Sequence, residues 1–399
     1  MGSVAEALKR AVRAIPYGRQ DVSEDDIDAV IAVLRSDFLT QGACVPAFEA
    51  ALYATAEAKH AVAVSSATAA LHVACLALDL GPGDLLWTSP NTFVASANCA
   101  LYCGADVDFV DVDASTHNMS APALAAKLAQ AERDGRLPKI VVPVHFGGLS
   151  CDMQVIKALG DRYGFRIIED ASHAIGGRYR DEPVGCCRYS DIAVFSFHPV
   201  KIVTTGEGGA ALTNDARLAE RMVRLRSHGI TRDESLMDGA PEGSWYYQML
   251  ELGFNYRMTD IQAALGLSQL DRLGDFVKRR TQLADRYDRM LASSGLALPA
   301  RDPSAASAWH LYTVGWNEQA SGVTRGQAFA RLRESNINAN VHYIPVHLQP
   351  YYRQRGFRAG QFPNAEAYYA SALTLPLYPS LTESEQDIVA DCLMSMAVR

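Results

Sequence analysis

Between residues 60 and 213, short apolar runs alternate with stretches of helical spacing, and that alternation leaves few folds open. The runs fall at 60–64, 85–88, 107–110, 140–144, 165–169, 192–195 and 210–213, and most show no strict apolar/polar alternation. Strands of that kind are covered on both faces. The stretches at 67–78, 93–103, 121–133, 153–163 and 215–227 supply the helical, right-handed crossovers that parallel strands need. The pattern predicts an α/β fold, a large domain whose mostly parallel sheet is covered by helices. An earlier helix should start at Ser23, with Asp26 as the acidic partner of a capping box.

From 259 to about 291 one long helical pattern follows, punctuated only by Gly266 and Gly274. Beyond it the spacing changes. A strand at 309–316, a helix at 325–334, a Pro- and Tyr-rich stretch at 341–352 and helices at 364–373 and 383–396 read as an α+β unit. We expect a large domain over 1–256 and a smaller C-terminal domain over 257–399, a division that suits 399 residues.

Composition narrows the function classes. With 49% hydrophobic and 21% charged residues the chain can bury a sizeable core, which excludes disorder and coiled coils. Lys plus Arg is 37 against 45 acids, so general binding to nucleic acid or an anionic membrane has no electrostatic footprint. A small anion needs only a few local donors. Lys9, Arg10 and Arg13 precede Ile15-Pro16-Tyr17-Gly18 with no apolar core of an export signal. The most apolar stretch, 61–80, is broken by Ser65, Ser66, Thr68 and His72, so it does not read as a membrane span. The eight cysteines form no Cys-x-x-Cys pair, which argues against structural zinc and for free thiols in a reducing cytoplasm.

Three segments carry chemistry. In 191–209 an apolar run leads to Lys201 and then to the turn Gly206-Glu207-Gly208-Gly209. A lysine held near a strand end, partly desolvated, has a lowered pKa and can act as a Schiff-base nucleophile; the alternative is a surface lysine whose stem packs. Asp170 follows the run 165–168, at the carboxyl end of a strand, where doubly wound folds bind ligands. A carboxylate there can keep a pyridine nitrogen protonated, or it can simply cap a turn. In Val64-Ser65-Ser66-Ala67-Thr68-Ala69 a strand passes through small residues into a helix, a layout that aims backbone amides at a phosphate. It is neither a Walker loop nor a Gly-x-Gly-x-x-Gly turn, which weighs against nucleotide hydrolysis and a nicotinamide site.

Taken in order, these segments resemble the sugar-nucleotide aminotransferases, a branch of the fold-type I pyridoxal 5'-phosphate (PLP) enzymes, from about Ile15 to the last helix. The resemblance implies that Lys201 binds the cofactor covalently and that Asp170 pairs with its pyridine nitrogen. It also implies that Phe93, in Asn91-Thr92-Phe93-Val94-Ala95-Ser96, stacks on the ring. By the same likeness Ala67, Thr68 and Ser196 hold the phosphate, and His173 sits near the phenolic edge. Asn255, in Gly253-Phe254-Asn255-Tyr256-Arg257, would reach the phosphate of a neighbouring subunit, which implies a homodimer with shared sites.

Ile15-Pro16-Tyr17-Gly18-Arg19-Gln20, Phe197-His198-Pro199-Val200-Lys201 and His342-Tyr343-Ile344-Pro345-Val346-His347 are most similar to the branch serving pseudaminic acid. That branch moves an amino group from glutamate to the C4 keto group of a UDP-linked 4-keto-6-deoxy-N-acetylhexosamine. Tyr17, Thr40, His342 and Tyr343 are then the expected sugar contacts, and Glu207 either touches substrate or braces its turn. His342 and His347 could equally be structural histidines, and Phe93 could be core.

Rival readings remain at this level. Family members that dehydrate carry histidine where Lys201 stands, and some members are regulators without catalysis. A GDP- or dTDP-linked sugar is an alternative acceptor.

Overall fold

A computed structural model describes residues 14–397; the basic stretch at Lys9, Arg10 and Arg13 lies outside them. Its centre is a seven-stranded sheet. In chain order the strands are β2 (His60–Val64), β3 (Leu85–Thr88), β4 (Asp106–Phe109), β5 (Ile140–Val142), β6 (Arg166–Asp170), β7 (Ile192–Ser196) and β8 (Gly209–Thr213). The short β1 (Ile15–Pro16) lies elsewhere. The spatial order is β2-β8-β7-β6-β5-β3-β4. Only β8 runs antiparallel to its neighbours.

All the other strands therefore end on one edge, and that edge carries the site. Period-two alternation sorts side chains between two cores: Val62 and Val64 pack on one face of the sheet, Ala61 and Ala63 on the other. Burial on both faces explains why these runs lack alternating polarity.

Helices cover both faces as expected. In α1 (Glu24–Leu34) the Ser23–Asp26 capping box forms: the Ser23 amide donates to Asp26 Oδ2 at 2.8 Å and the Asp26 amide to Ser23 Oγ at 3.3 Å. After α2 (Cys44–Ala56) comes α3 (Ala67–Ala77), capped by the Ser66 hydroxyl, which accepts the Ala69 amide at 3.1 Å. Such a cap contributes about 1 kcal/mol. Helix α4 (Ala95–Tyr102) starts later than the expected 93, which leaves Phe93 in the preceding loop. Further on lie α5 (Ala121–Arg133), α6 (Met153–Tyr163) and α7 (Ala216–Leu225).

The long pattern at 259–291 is two helices, α8 (Asp260–Asp271) and α9 (Leu273–Leu291). The break falls at Arg272, whose backbone (φ −101°, ψ 4°) leaves helical geometry and whose guanidinium is tied to Asp21 at 2.8 Å and to Asp26. A distant ion pair pins that turn, and nothing local in the sequence announces it.

The change of core also comes later than the expected boundary at 256/257. Helix α8 packs on α1 and α2, and Leu273 and Phe276 still belong to a core of the large sheet. Leu283, Ala284, Tyr287 and Leu291 join the second core, so the change falls within α9. That second core also takes Ile15, because β1 pairs in parallel with β10 (Ile337–Asn338). Its other strands are β9 (Tyr312–Gly315) and β11 (Ala372–Leu375), antiparallel to each other. The expected helix at 364–373 runs instead as α11 (Pro363–Ser371) and passes directly into β11. The remaining helices of this part include α10 (Arg325–Glu334) and α12 (Glu383–Ala397). Among the described residues no helix is long and apolar enough to cross a membrane.

Candidate active site

At the carboxyl edge of the large sheet, facing the second core, lies a cavity of about 560 Å³. Its floor is built by the residues that follow β2, β6 and β7. The first amides of a helix have no intrahelical partner. Ser66 caps Ala69, which leaves the amides of Ala67 and Thr68 at the cavity wall, beside the Ser196 hydroxyl at the end of β7. Among the described residues neither the Thr68 nor the Ser196 hydroxyl has a hydrogen-bond partner, and β8 passes close behind the turn. A Cβ at Gly209 would lie 2.4 Å from the Ala67 nitrogen, so glycine is required there for the backbones to approach.

Lys201 stands in the loop after β7, which folds back on itself: the Phe197 amide donates to Gly208 O at 2.9 Å and the Thr205 amide to Phe197 O at 3.0 Å. The lysine is half-buried and lines the cavity. The amine makes no hydrogen bond to the described residues. Burial pushes its pKa down to about 8, against the attraction of the Asp170 carboxylate.

Asp170 ends β6 and is buried. It faces the cavity, and its neighbour Glu169 points the other way, to His145 Nε2 at 2.8 Å. Asp170 Oδ1 accepts the Ser172 amide at 3.1 Å and Oδ2 accepts the Ser96 hydroxyl at 2.6 Å.

Histidines line the opposite wall. His173 Nδ1 accepts the Gly147 amide at 3.3 Å, so a neutral ring carries its proton on Nε2, 3.2 Å from the Tyr343 hydroxyl. Burial, with Lys201 and His342 nearby, holds His173 well below its usual pKa, so it is neutral at pH 7. Burial and Lys201 likewise push His342 down to about 3, and its Nδ1 lies 2.9 Å from Thr374 Oγ1. Tyr17 stands beside it, ring centroids 5.1 Å apart, with its hydroxyl pKa raised by burial.

Phe93 is 58% exposed and lines the cavity, 6.2 Å from the Tyr343 ring, so it is not core. Glu207 sits at the rim with an exposed side chain.

Two expected residues are not brought to the cavity of their own chain. Thr40 is exposed on the loop between α1 and α2, which Asp260 ties down by accepting the Gly42 and Cys44 amides, each at 2.8 Å. Asn255 is exposed and bridges to Ser227. His347 is turned away and bonded to Glu366 at 3.0 Å, the structural alternative.

The sequence reading missed Thr92, His310 and Asn340, which also line the cavity, and Ser96, which reaches Asp170. Ser96 was within reach: its hydroxyl follows that of Thr92 by one helical turn in the same motif. His310 and Asn340 carry no local signal.

Residues 20–394 match the model of the DegT/DnrJ/EryC1/StrS aminotransferase family. The spore coat polysaccharide biosynthesis protein SpsC of Bacillus subtilis (strain 168) is 40% identical over 382 residues, covering 95% of this chain and 96% of that protein. Among solved structures, Spr1654 from Streptococcus pneumoniae in its PMP form superposes with a TM-score of 0.87 at 30% identity, over 96% of this chain and 98% of that one. Its PLP form gives 0.85 at 29%, over 96% and 99%. Helicobacter pylori PseC, an aminotransferase involved in the biosynthesis of pseudoaminic acid, gives 0.87 at 29% identity, over 96% and 99%.

Proposed function

The chain belongs to the DegT/DnrJ/EryC1/StrS aminotransferase family, and from that premise we propose that it carries the amino group of glutamate to the C4 keto group of a UDP-linked 4-keto-6-deoxy-N-acetylhexosamine, in pseudaminic acid or related amino-sugar biosynthesis. It is a PLP-dependent sugar aminotransferase of fold type I. The observation that carries the reading is Lys201: a half-buried amine without a hydrogen bond to the described residues, in one cavity with Asp170 and the exposed ring of Phe93.

The donor set fits PLP. The amides of Ala67 and Thr68, with the hydroxyls of Thr68 and Ser196, would hold the phosphate at a helix N-terminus. Asp170 would face the pyridine nitrogen, Phe93 the ring and His173 its phenolic edge. When bound, the cofactor supplies an aldehyde to carry the amino group and a protonated ring to draw electrons from the donor's α-carbon.

Lys201 does the proton work. With a pKa of about 8, roughly a tenth of the free amine is neutral at pH 7, so Nζ can take the α-proton of glutamate and later return one. One lysine serves both half-reactions, so the kinetics should be ping-pong. Neutral His173 and Tyr343 hold each other in place and add no competing positive charge. Tyr17, Asn340, His342 and Tyr343 form the wall left for the sugar, with Glu207 at the mouth.

Thr40 and Asn255 can contribute only to the cavity of a second copy, which supports a homodimer with shared sites. Leu252 (77%), three residues before Asn255, and Trp245 (70%) are exposed, surfaces costly to leave in water. Sedimentation equilibrium should report a dimer at assay concentrations; a fully active monomer would count against sharing. The eight free thiols fit a reducing, cytoplasmic setting.

The acceptor is the least constrained part. Likeness to PseC, an aminotransferase of pseudoaminic acid biosynthesis, supports the pseudaminic acid reading, and a GDP- or dTDP-linked keto sugar is the second reading. A panel of UDP-, GDP- and dTDP-linked keto sugars, with products identified by mass spectrometry and NMR, separates them. We expect amination of the UDP sugar at C4. Product from GDP or dTDP sugars alone would overturn the substrate and leave the family untouched.

A further inference from the structure

Behind Asp170 runs a short chain of hydroxyls. Ser96 Oγ lies 2.6 Å from Asp170 Oδ2, and Thr92 Oγ1 lies 2.8 Å from Ser96 Oγ. An ionised carboxylate only accepts, so the Ser96 proton points to Asp170 and Thr92 must donate to Ser96. A second acceptor for Ser96, the Phe93 carbonyl at 3.4 Å, is longer and uncharged, so the carboxylate wins. The order is therefore Thr92 to Ser96 to Asp170.

All three side chains are buried, at 2%, 0% and 5% exposure, where such bonds are least weakened by water. The Ser172 amide holds the other carboxylate oxygen, so the group cannot rotate freely. Thr92 and Asp170 line the cavity; Ser96 stands between them in the first turn of α4.

We propose that Ser96, supported by Thr92, is a positioning residue that holds the Asp170 carboxylate in place and, through it, governs the protonation of the pyridine nitrogen of bound PLP. The proposal rests on the reading of Asp170 as that nitrogen's partner. A short bond to a carboxylate stabilises its ionised form. Without that bond the carboxylate would lose the donor that favours its charged form, and the proton it would share with the ring would shift toward it. A bound ring with less charge would withdraw fewer electrons, and a nitrogen linking it to Lys201 would keep its proton to higher pH.

The test uses holoenzyme: wild type, Ser96→Ala, Ser96→Thr and Thr92→Val, each titrated while the visible absorbance of the bound cofactor is recorded. In Ser96→Ala the midpoint should rise by about one pH unit, the size expected for one charge-assisted bond. Thr92→Val should move it the same way by less, and Ser96→Thr should restore it. Turnover in Ser96→Ala should fall about tenfold with the KM for glutamate nearly unchanged. A Ser96→Ala holoenzyme with the wild-type midpoint and turnover would overturn the proposal and leave the reading of the site intact. If that variant does not fold, Thr92→Val decides alone, and an unmoved midpoint overturns it. Wild-type enzyme that takes up no PLP sinks both.

Discussion

Lys201→Ala should abolish amino transfer, lowering turnover by on the order of 10⁴-fold or more, because in the proposed reaction one amine serves as covalent anchor and as general base. The size follows from what is lost. Among the described residues, position 201 holds the single lysine amine at the cavity wall, and burial gives it an accessible neutral form near pH 7. His173 and His342 are neutral but too weak as bases, since burial and Lys201 hold both far below the ordinary imidazole range. The measurement is 2-oxoglutarate released from glutamate in a single half-reaction, together with loss of the absorbance of lysine-bound cofactor. Ethylamine added to the variant should restore part of the proton transfer. Near-normal transamination without the lysine would remove the central assignment.

The same amine gives the enzyme a pH signature. Only its neutral form attacks an aldehyde, so PLP uptake by apoenzyme should speed up about tenfold per pH unit and level off above about 8. The sign follows from burial, which disfavours the ammonium. An uptake rate still rising steeply toward pH 10 would mean that the amine keeps an ordinary lysine pKa.

Asp170→Asn should leave the fold intact and cut turnover about a hundred-fold or more, the consequence of removing one partner of a buried charge pair. The amide keeps the shape and can still face Ser96, but it no longer carries the charge that holds a proton on the ring. Because the phosphate would be gripped elsewhere, by the turn at Ala67 and Thr68, cofactor binding should weaken much less than turnover. Equal losses in both would assign Asp170 to anchoring rather than to electronics. Comparing kcat with the PLP dissociation constant decides between them.

How much of this was legible before the fold depends on the residue. Strand β6 and the turn after β2 were readable because each is local: an apolar run, then the residue types that end a strand or open a helix. Lys201 and Asp170 stand next to such runs, so their place at the carboxyl edge followed from a parallel sheet. Phe93 was ambiguous, since an apolar residue at a helix start reads alike as core or ligand platform; only the later start of α4 leaves it exposed. The break at Arg272 was hidden because its cause, Asp21 and Asp26, lies about 250 residues away. Strand β11 was hidden because a mostly apolar run, Ala372-Leu373-Thr374-Leu375, directly continuing a helix looks like more helix.

Sequence alone determined the chemistry: which strand ends carry an amine, a carboxylate and unbonded amides, because spacing and side-chain type act within a few residues of one another. Tertiary structure alone decided which groups share a wall. His310 and Asn340 reach the cavity from the second core, Ser96 meets Asp170 across 74 residues of chain, and Thr40 and Asn255 turn outward. Those placements depend on long-range burial and charge pairing, and no local pattern encodes them.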